Sequence, residues 1–297
     1  KVYEFHKNIL EPFLKSLNQE FSTYVDDSYI SKLNKAELNS IMPTSKLFDV
    51  AFEESLIVNK LTDGAFDPSV GPLINLWGFG EKKHDKKNVT EEEIIEAKSQ
   101  TGLDAYDWKI GSIQKNRKVS LNLSSVVEGF AVDLVAKLLD QQGYQRYLID
   151  IGGENLSKGT NIEDKPFKIG IELPEDYNNS EDGKFNCIVQ LKDEAIATSG
   201  NYKQFYLKDG KRYSHIIDPK TGYPAQNNIA SVTVITKTCM RADTINTAFM
   251  VMGLEKSLKF VNDHPEMDAI FIVHKNEKVF ESVMSNGFSK HIIKNSK

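Results

Sequence analysis

Residues 231–253 read SVTVITKTCMRADTINTAFMVMG. Residues 231–236 carry the branched, alternating pattern of a strand. From 241 to 252 the apolar residues recur at helical spacing, and Gly253 supplies a stop. A strand thus passes into a helix within a few residues. Working outward, residues 268–274 and 278–282 predict a hairpin around Asn276-Glu277. Upstream, residues 167–173, 187–191, 195–198 and 204–207 read as strands. Residues 147–151 form an apolar run closed by Gly152-Gly153, the pattern of a buried strand entering a tight turn. Residues 121–123 look like a short strand leading into Ser124-Ser125 and a helix over 131–142, ended by Gly143.

The amino-terminal third is helical. Phe5, Ile9, Leu10, Phe13, Leu14 and Leu17 predict an amphipathic helix within residues 3–21, and residues 45–61 repeat that period. Thr90 and Glu93 have capping-box spacing, so a helix starts there and stops by Gly102. Residues 80–88 and 175–184 read as polar loops. Strands and helices mix without regular βαβ alternation. The expected fold is therefore α+β, with mixed, mainly antiparallel sheets and packed helices, in one domain over residues 1–297.

The chain has 297 residues and a net charge of -5. That length suits a sizeable core, and no apolar run approaches the ~20 residues of a membrane span. The one basic run, residues 82–87, is interrupted by His84 and Asp85, which argues against nucleic acid as the main partner. An acidic protein that binds a phosphate ligand needs a local positive centre, and a metal ion is the economical one. Cys187 and Cys239 lie outside any zinc spacing and read as two buried thiols, with one disulfide as the alternative.

Walker A, GxGxxG, HExxH and GxSxG signatures are absent. Four other segments could carry chemistry. Residues 64–80 concentrate Gly, Pro and aromatics around Asp67, as a ring-binding wall would; a packed aromatic turn is the simpler reading. Residues 121–133 place small hydroxyls before Glu128-Gly129, where helix amides could meet phosphate or Ser124 or Ser125 could cap the helix. His215 sits between Ser214 and a turn at Asp218-Pro219, placed as a proton acceptor or as a core histidine. Asp243 and Thr247 share one helix face, offering two oxygens to Mg²⁺ or forming a cap and a back-bonded hydroxyl. A small echo links residues 66–71 with 217–222: both are apolar-Asp-Pro-x-x-Gly, a type I turn signal.

In this order the segments resemble the ApbE family of FAD:protein FMN transferases. The carrying motifs are STYVDDSYISKLN, GAFDPSVGPLINLWGFG, LNLSSVVEGFAVD, YLIDIGGEN, ATSGNY, RYSHIIDPKTGYP and MRADTINTAFMVMG. The resemblance implies a T-fold-related architecture and an activity: Mg²⁺-dependent transfer of FMN from FAD to a Thr or Ser of a partner flavoprotein, releasing AMP. Carried over by position, Tyr24, Ala65, Phe66, Asp67, Ser125, Glu128, Ala131 and Ile217 contact FAD. Asp243 and Thr247 hold the metal with a backbone carbonyl, that of Val127, and His215 is the base. An FAD pyrophosphatase and a non-catalytic FAD-binding lipoprotein are the alternatives. The resemblance also implies an extracytoplasmic, periplasm-side location on a lipid anchor. Here Glu128 replaces a common Lys, Asn122 a usual Asp and Asn201 a frequent Asp. The chain opens on Lys1, as a processed form does, without the strand that usually precedes the family's first helix.

Overall fold

Pro12 divides the first helical stretch. Residues His6–Leu10 form a π-helical turn, and α1 (Glu11–Phe21) begins afresh with the proline in its first turn, where a missing amide hydrogen costs nothing. The computed structural model describes residues 6–80, 88–173, 185–201, 205–208, 211–276 and 279–295. Residues 81–87 of the first expected polar loop and the whole of the second, 175–184, lie outside the described residues. The chain forms two compact units: Lys1–Val127 with Ile217–Pro224, and Glu128–Ile216 with Ala225–Lys297.

In the first unit, α2 (Tyr29–Lys35) follows α1, then β1 (Met42–Pro43) and α3 (Lys46–Leu61). Ser45 caps α3 by accepting from the Phe48 amide at 3.0 Å, a contact worth about 1 kcal/mol. One turn apart on α3, Phe48 and Phe52 are fully buried and stacked at 5.7 Å. Phe21, Tyr29, Tyr106 and Trp108 pack on these two rings. Next come α4 (Gly71–Leu76), α5 (Glu91–Ser99) with the expected capping box at Thr90 and Glu93, β2 (Tyr106–Lys109) and β3 (Ser112–Lys115). The strands form a small antiparallel sheet in the order β1-β3-β2.

Residues 121–123 are not a strand. Their backbone is satisfied by a side chain instead: Asn34 donates to the Leu121 carbonyl at 2.9 Å and accepts from the Leu121 amide at 2.8 Å. The helix that follows, α6 (Ser124–Gln141), starts seven residues earlier than expected. Neither serine caps it. Asn122 Oδ1 accepts from the Ser124 amide at 3.0 Å.

The second unit is built on a six-stranded antiparallel sheet, ordered β13-β12-β11-β8-β5-β4. The strands are β4 (Tyr147–Ile151), β5 (Glu154–Lys158), β8 (Ala195–Gly200), β11 (Ile229–Thr236), β12 (Asp268–Asn276) and β13 (Val279–Met284). A three-stranded sheet, β14-β7-β6, joins β6 (Phe167–Glu172), β7 (Phe185–Leu191) and β14 (Ile292–Asn295), while β9 (Phe205–Lys208) and β10 (Lys211–Ser214) form a separate hairpin. Ile171, Val189 and Leu191 from the smaller sheet share a core with Ile196, Ile235, Ile270 and Ile272 from the larger. Helix α7 (Cys239–Met252) packs on β8, β11 and β5, and α8 (Leu254–Asp263) on α7 and β12. Covered on both faces, β11 is buried along its whole length.

The expected hairpin is the β12–β13 pair. Strand β4 corrects an expectation: it is the sheet's edge, and within it only Ile149 is buried. Its Gly152-Gly153 turn has positive φ at both residues, as a two-residue hairpin with right-handed strand twist requires. Both cysteines are buried free thiols.

Candidate functional site

Helix α7 carries Asp243, Asn246 and Thr247 on one face, and its start is fixed from outside the local sequence. Thr238, at the N-cap, makes no side-chain cap bond. The Asp133 carboxylate on α6 does so instead, accepting from the amides of Cys239 at 2.8 Å and Met240 at 3.0 Å. An anion there satisfies two orphan donors and the positive end of the helix dipole together. Gly129 on α6 completes the junction. A Cβ at that position would lie 2.4 Å from the Cys239 carbonyl oxygen and 2.9 Å from Asp243 Cβ. With no side chain there, the Gly129 amide reaches Asp243 Oδ2 at 3.0 Å.

Around this junction the second unit gathers three carboxyl groups, those of Asp243, Glu154 and Glu128. Asp243 is buried, and its carboxyl is raised well above the usual range by desolvation and by Glu154 and Glu128, against the Gly129 hydrogen bond. Glu154 is 6% exposed, and its Oε2 is buried without a hydrogen-bond partner. Burial, then the Glu128 charge, pushes its pKa up to about 7. Glu128 is exposed at its outer side, yet desolvation raises its carboxyl too. The Glu154 and Glu128 Oε2 atoms flank the side-chain position that Gly152 leaves empty, 3.2 and 3.9 Å from it.

A hard divalent cation fits this chemistry. The donors are all oxygens, and a buried carboxylate oxygen lacks a partner. Among the described residues no three of His, Cys, Asp and Glu form a metal cage. An ion here would take few protein ligands, Asp243 and Thr247 first, and fill its shell with phosphate oxygens and water, as Mg²⁺ does. Ala131 is buried on α6, between Glu128 and Asp133 and within a turn of each.

The first unit holds the other sequence-predicted residues. Tyr24 is 83% exposed and offers a free-standing aromatic ring. Ala65 and Phe66 are buried in the core, as is Trp77, whose Nε1 donates to the Gly222 carbonyl at 2.8 Å. These aromatics are thus engaged in packing, and the segment presents Asp67 instead. Asp67 Oδ1 accepts from the Ser69 amide at 2.8 Å and hydroxyl at 2.6 Å, while desolvation raises its pKa. The echoing Asp218 closes its turn the same way, accepting from the Lys220 amide at 2.8 Å. Ile217 is buried and bridges to Pro224. Ser125 and Val127 lie in the first turns of α6, at the end of this unit's first segment.

His215 is half-buried in the second unit, directly after β10. Asp243 is thus brought together with Glu128 and Glu154, and Thr247 lies one turn further along α7. The sequence reading assigned no role to Glu154, Asp133, Ser199 or Asn246. The signal for Glu154 was a charged residue at the start of a strand just after two glycines; Asp133 had none, because its partners lie 106 and 107 residues away.

The fold is shared with solved flavin transferases. The flavin transferase ApbE from Vibrio cholerae superposes with a TM-score of 0.85 at 36% identity, covering 96% of this chain and 89% of that one. The Pseudomonas stutzeri flavinyl transferase ApbE, in apo form, gives 0.87 at 32% identity, covering 97% and 88%. The FAD:protein FMN transferase of Haemophilus influenzae is 36% identical over 287 residues, 95% of this chain and 82% of that protein. The family model described as the ApbE family matches residues 2–271. This chain belongs to the ApbE family.

Proposed function

We propose that this protein transfers FMN from FAD to a Thr or Ser hydroxyl of a partner flavoprotein, with Mg²⁺ at the α6–α7 junction. The carrying observation is the buried Asp243 carboxylate, held by the Gly129 amide beside the unpartnered Glu154 oxygen. Family membership supports the choice of substrate.

The acceptor hydroxyl oxygen bonds to the FMN-side phosphorus of FAD. The bond from that phosphorus to the bridging oxygen breaks, and AMP leaves with the oxygen. His215 takes the hydroxyl proton. Asp243 and Thr247 would hold the ion, which would supply charge neutralisation and orientation of the phosphates. Tyr24, Ala65, Phe66, Asp67, Ser125, Glu128, Ala131 and Ile217 are the proposed FAD contacts. We also propose that the protein works outside the cytoplasm on a lipid anchor, which cell fractionation tests.

The decisive experiment combines protein, FAD, Mg²⁺ and an acceptor flavoprotein domain already known to be flavinylated, read by intact mass. A gain of one FMN with AMP released, both lost in EDTA, is the expected result. Free FMN and AMP with unmodified acceptor would mean hydrolysis. Intact FAD would mean binding without catalysis.

A further inference from the structure

Thr247 does not stand alone beside Asp243. Its Oγ1 lies 3.3 Å from the Asp243 carbonyl oxygen, 3.4 Å from Asn246 Oδ1 and 3.4 Å from Ser199 Oγ. Ser199, on β8, donates to Asn246 Oδ1 at 2.8 Å. Asn246 is fully buried, and its Nδ2 has no acceptor. The amide therefore turns its oxygen toward the two hydroxyls and leaves its nitrogen unsatisfied.

That orientation matters for a hydroxyl asked to ligate a cation. The oxygen must turn a lone pair to the ion, so its proton needs an acceptor elsewhere. The helix backbone offers one acceptor, the Asp243 carbonyl at 3.3 Å. The Asn246 oxygen at 3.4 Å is the second, and the Ser199 hydroxyl holds that same oxygen by donating to it at 2.8 Å. We propose that the Ser199–Asn246 pair positions the Thr247 hydroxyl for the divalent ion. The proposal rests on the reading of Asp243 and Thr247 as ion ligands. Groups that orient a metal ligand typically change affinity about 10–100-fold when removed.

The test is Mn²⁺ titrated into the metal-free full chain, with free ion read by electron paramagnetic resonance and melting followed in EDTA. Ser199→Ala and Asn246→Ala should each weaken Mn²⁺ binding about 10-fold. Ser199→Thr, which keeps the hydroxyl, should restore it, and the melting temperatures should not track the affinities. Binding within two-fold of the parent in both alanine variants would overturn the proposal, as would a loss that follows melting temperature and that Ser199→Thr fails to restore. The underlying reading fails differently: the parent itself would bind no Mn²⁺, or Asp243→Ala would bind it as well as the parent.

Discussion

The Asp133 carboxylate and the Cys239 amide, 106 residues apart in the chain, meet at 2.8 Å and fix where α7 begins. Asp243 is four residues further along that helix. The register of the acidic centre is thus set by a bond that ties two distant helices together.

Removing that cap should be measurable. Asp133→Ala leaves the Cys239 and Met240 amides without their acceptor and should lower unfolding free energy by about 1–2 kcal/mol. Asp133→Asn keeps one acceptor oxygen and should lose less. Urea titrations of the three proteins check both statements.

Two glycines should respond in opposite ways. At Gly129 a methyl group would lie 2.4 Å from backbone oxygen, which cannot give like a flexible side chain. Gly129→Ala should destabilise by about 1–3 kcal/mol and weaken Mn²⁺ binding by displacing Asp243. At Gly71, in the first turn of α4, the nearest atom would be 3.9 Å away. Gly71→Ala should be neutral or stabilising by under about 1 kcal/mol. Thermal melts compare the two.

The apo protein should lose stability as pH rises. The Glu154 carboxyl has a folded pKa of about 7 against an ordinary 4.5. The folded state therefore holds the proton through that interval while the unfolded chain releases it. Stability is greatest below about pH 4.5 for this group and declines up to about 7, by at most about 3 kcal/mol. Asp243 and Glu128, also raised, act with the same sign. Glu154→Gln should flatten the slope in EDTA, measured by denaturation across that range.

Asp243→Ala and His215→Ala should separate in the transfer assay. A general base contributes about 10²–10⁴-fold, so loss of His215 should leave residual turnover. On the proposed roles, loss of Asp243 would remove both ion binding and phosphate positioning and should cut the rate further. Equal, small losses would break the assignment of roles.

The two failed element readings share one cause. Residues 121–123 look like a strand because the apolar alternation of Leu121 and Leu123 is real; both side chains are buried. What makes a strand is the partner for its backbone, and here that partner is the Asn34 side chain. Residues 147–151 are apolar enough for a central strand, but sheet order leaves β4 at the edge. Neither an acceptor 87 residues away nor a strand order is written in local periodicity.

The site divides the same way. Asp243 and Thr247 were legible because four residues on a helix always share a face, and the paired Asp-Pro turns because that dipeptide closes locally. Strand and helix existence, the capping box at Thr90, the Gly152-Gly153 turn and family membership all follow from short-range pattern and motif order. Only the tertiary structure decided that a side chain at position 129 would collide with α7. It alone placed Asp133 as the cap of α7 and left a Glu154 oxygen buried without a partner. Those are consequences of which surfaces meet, and burial, close approach and charge coupling are properties of space rather than of sequence order.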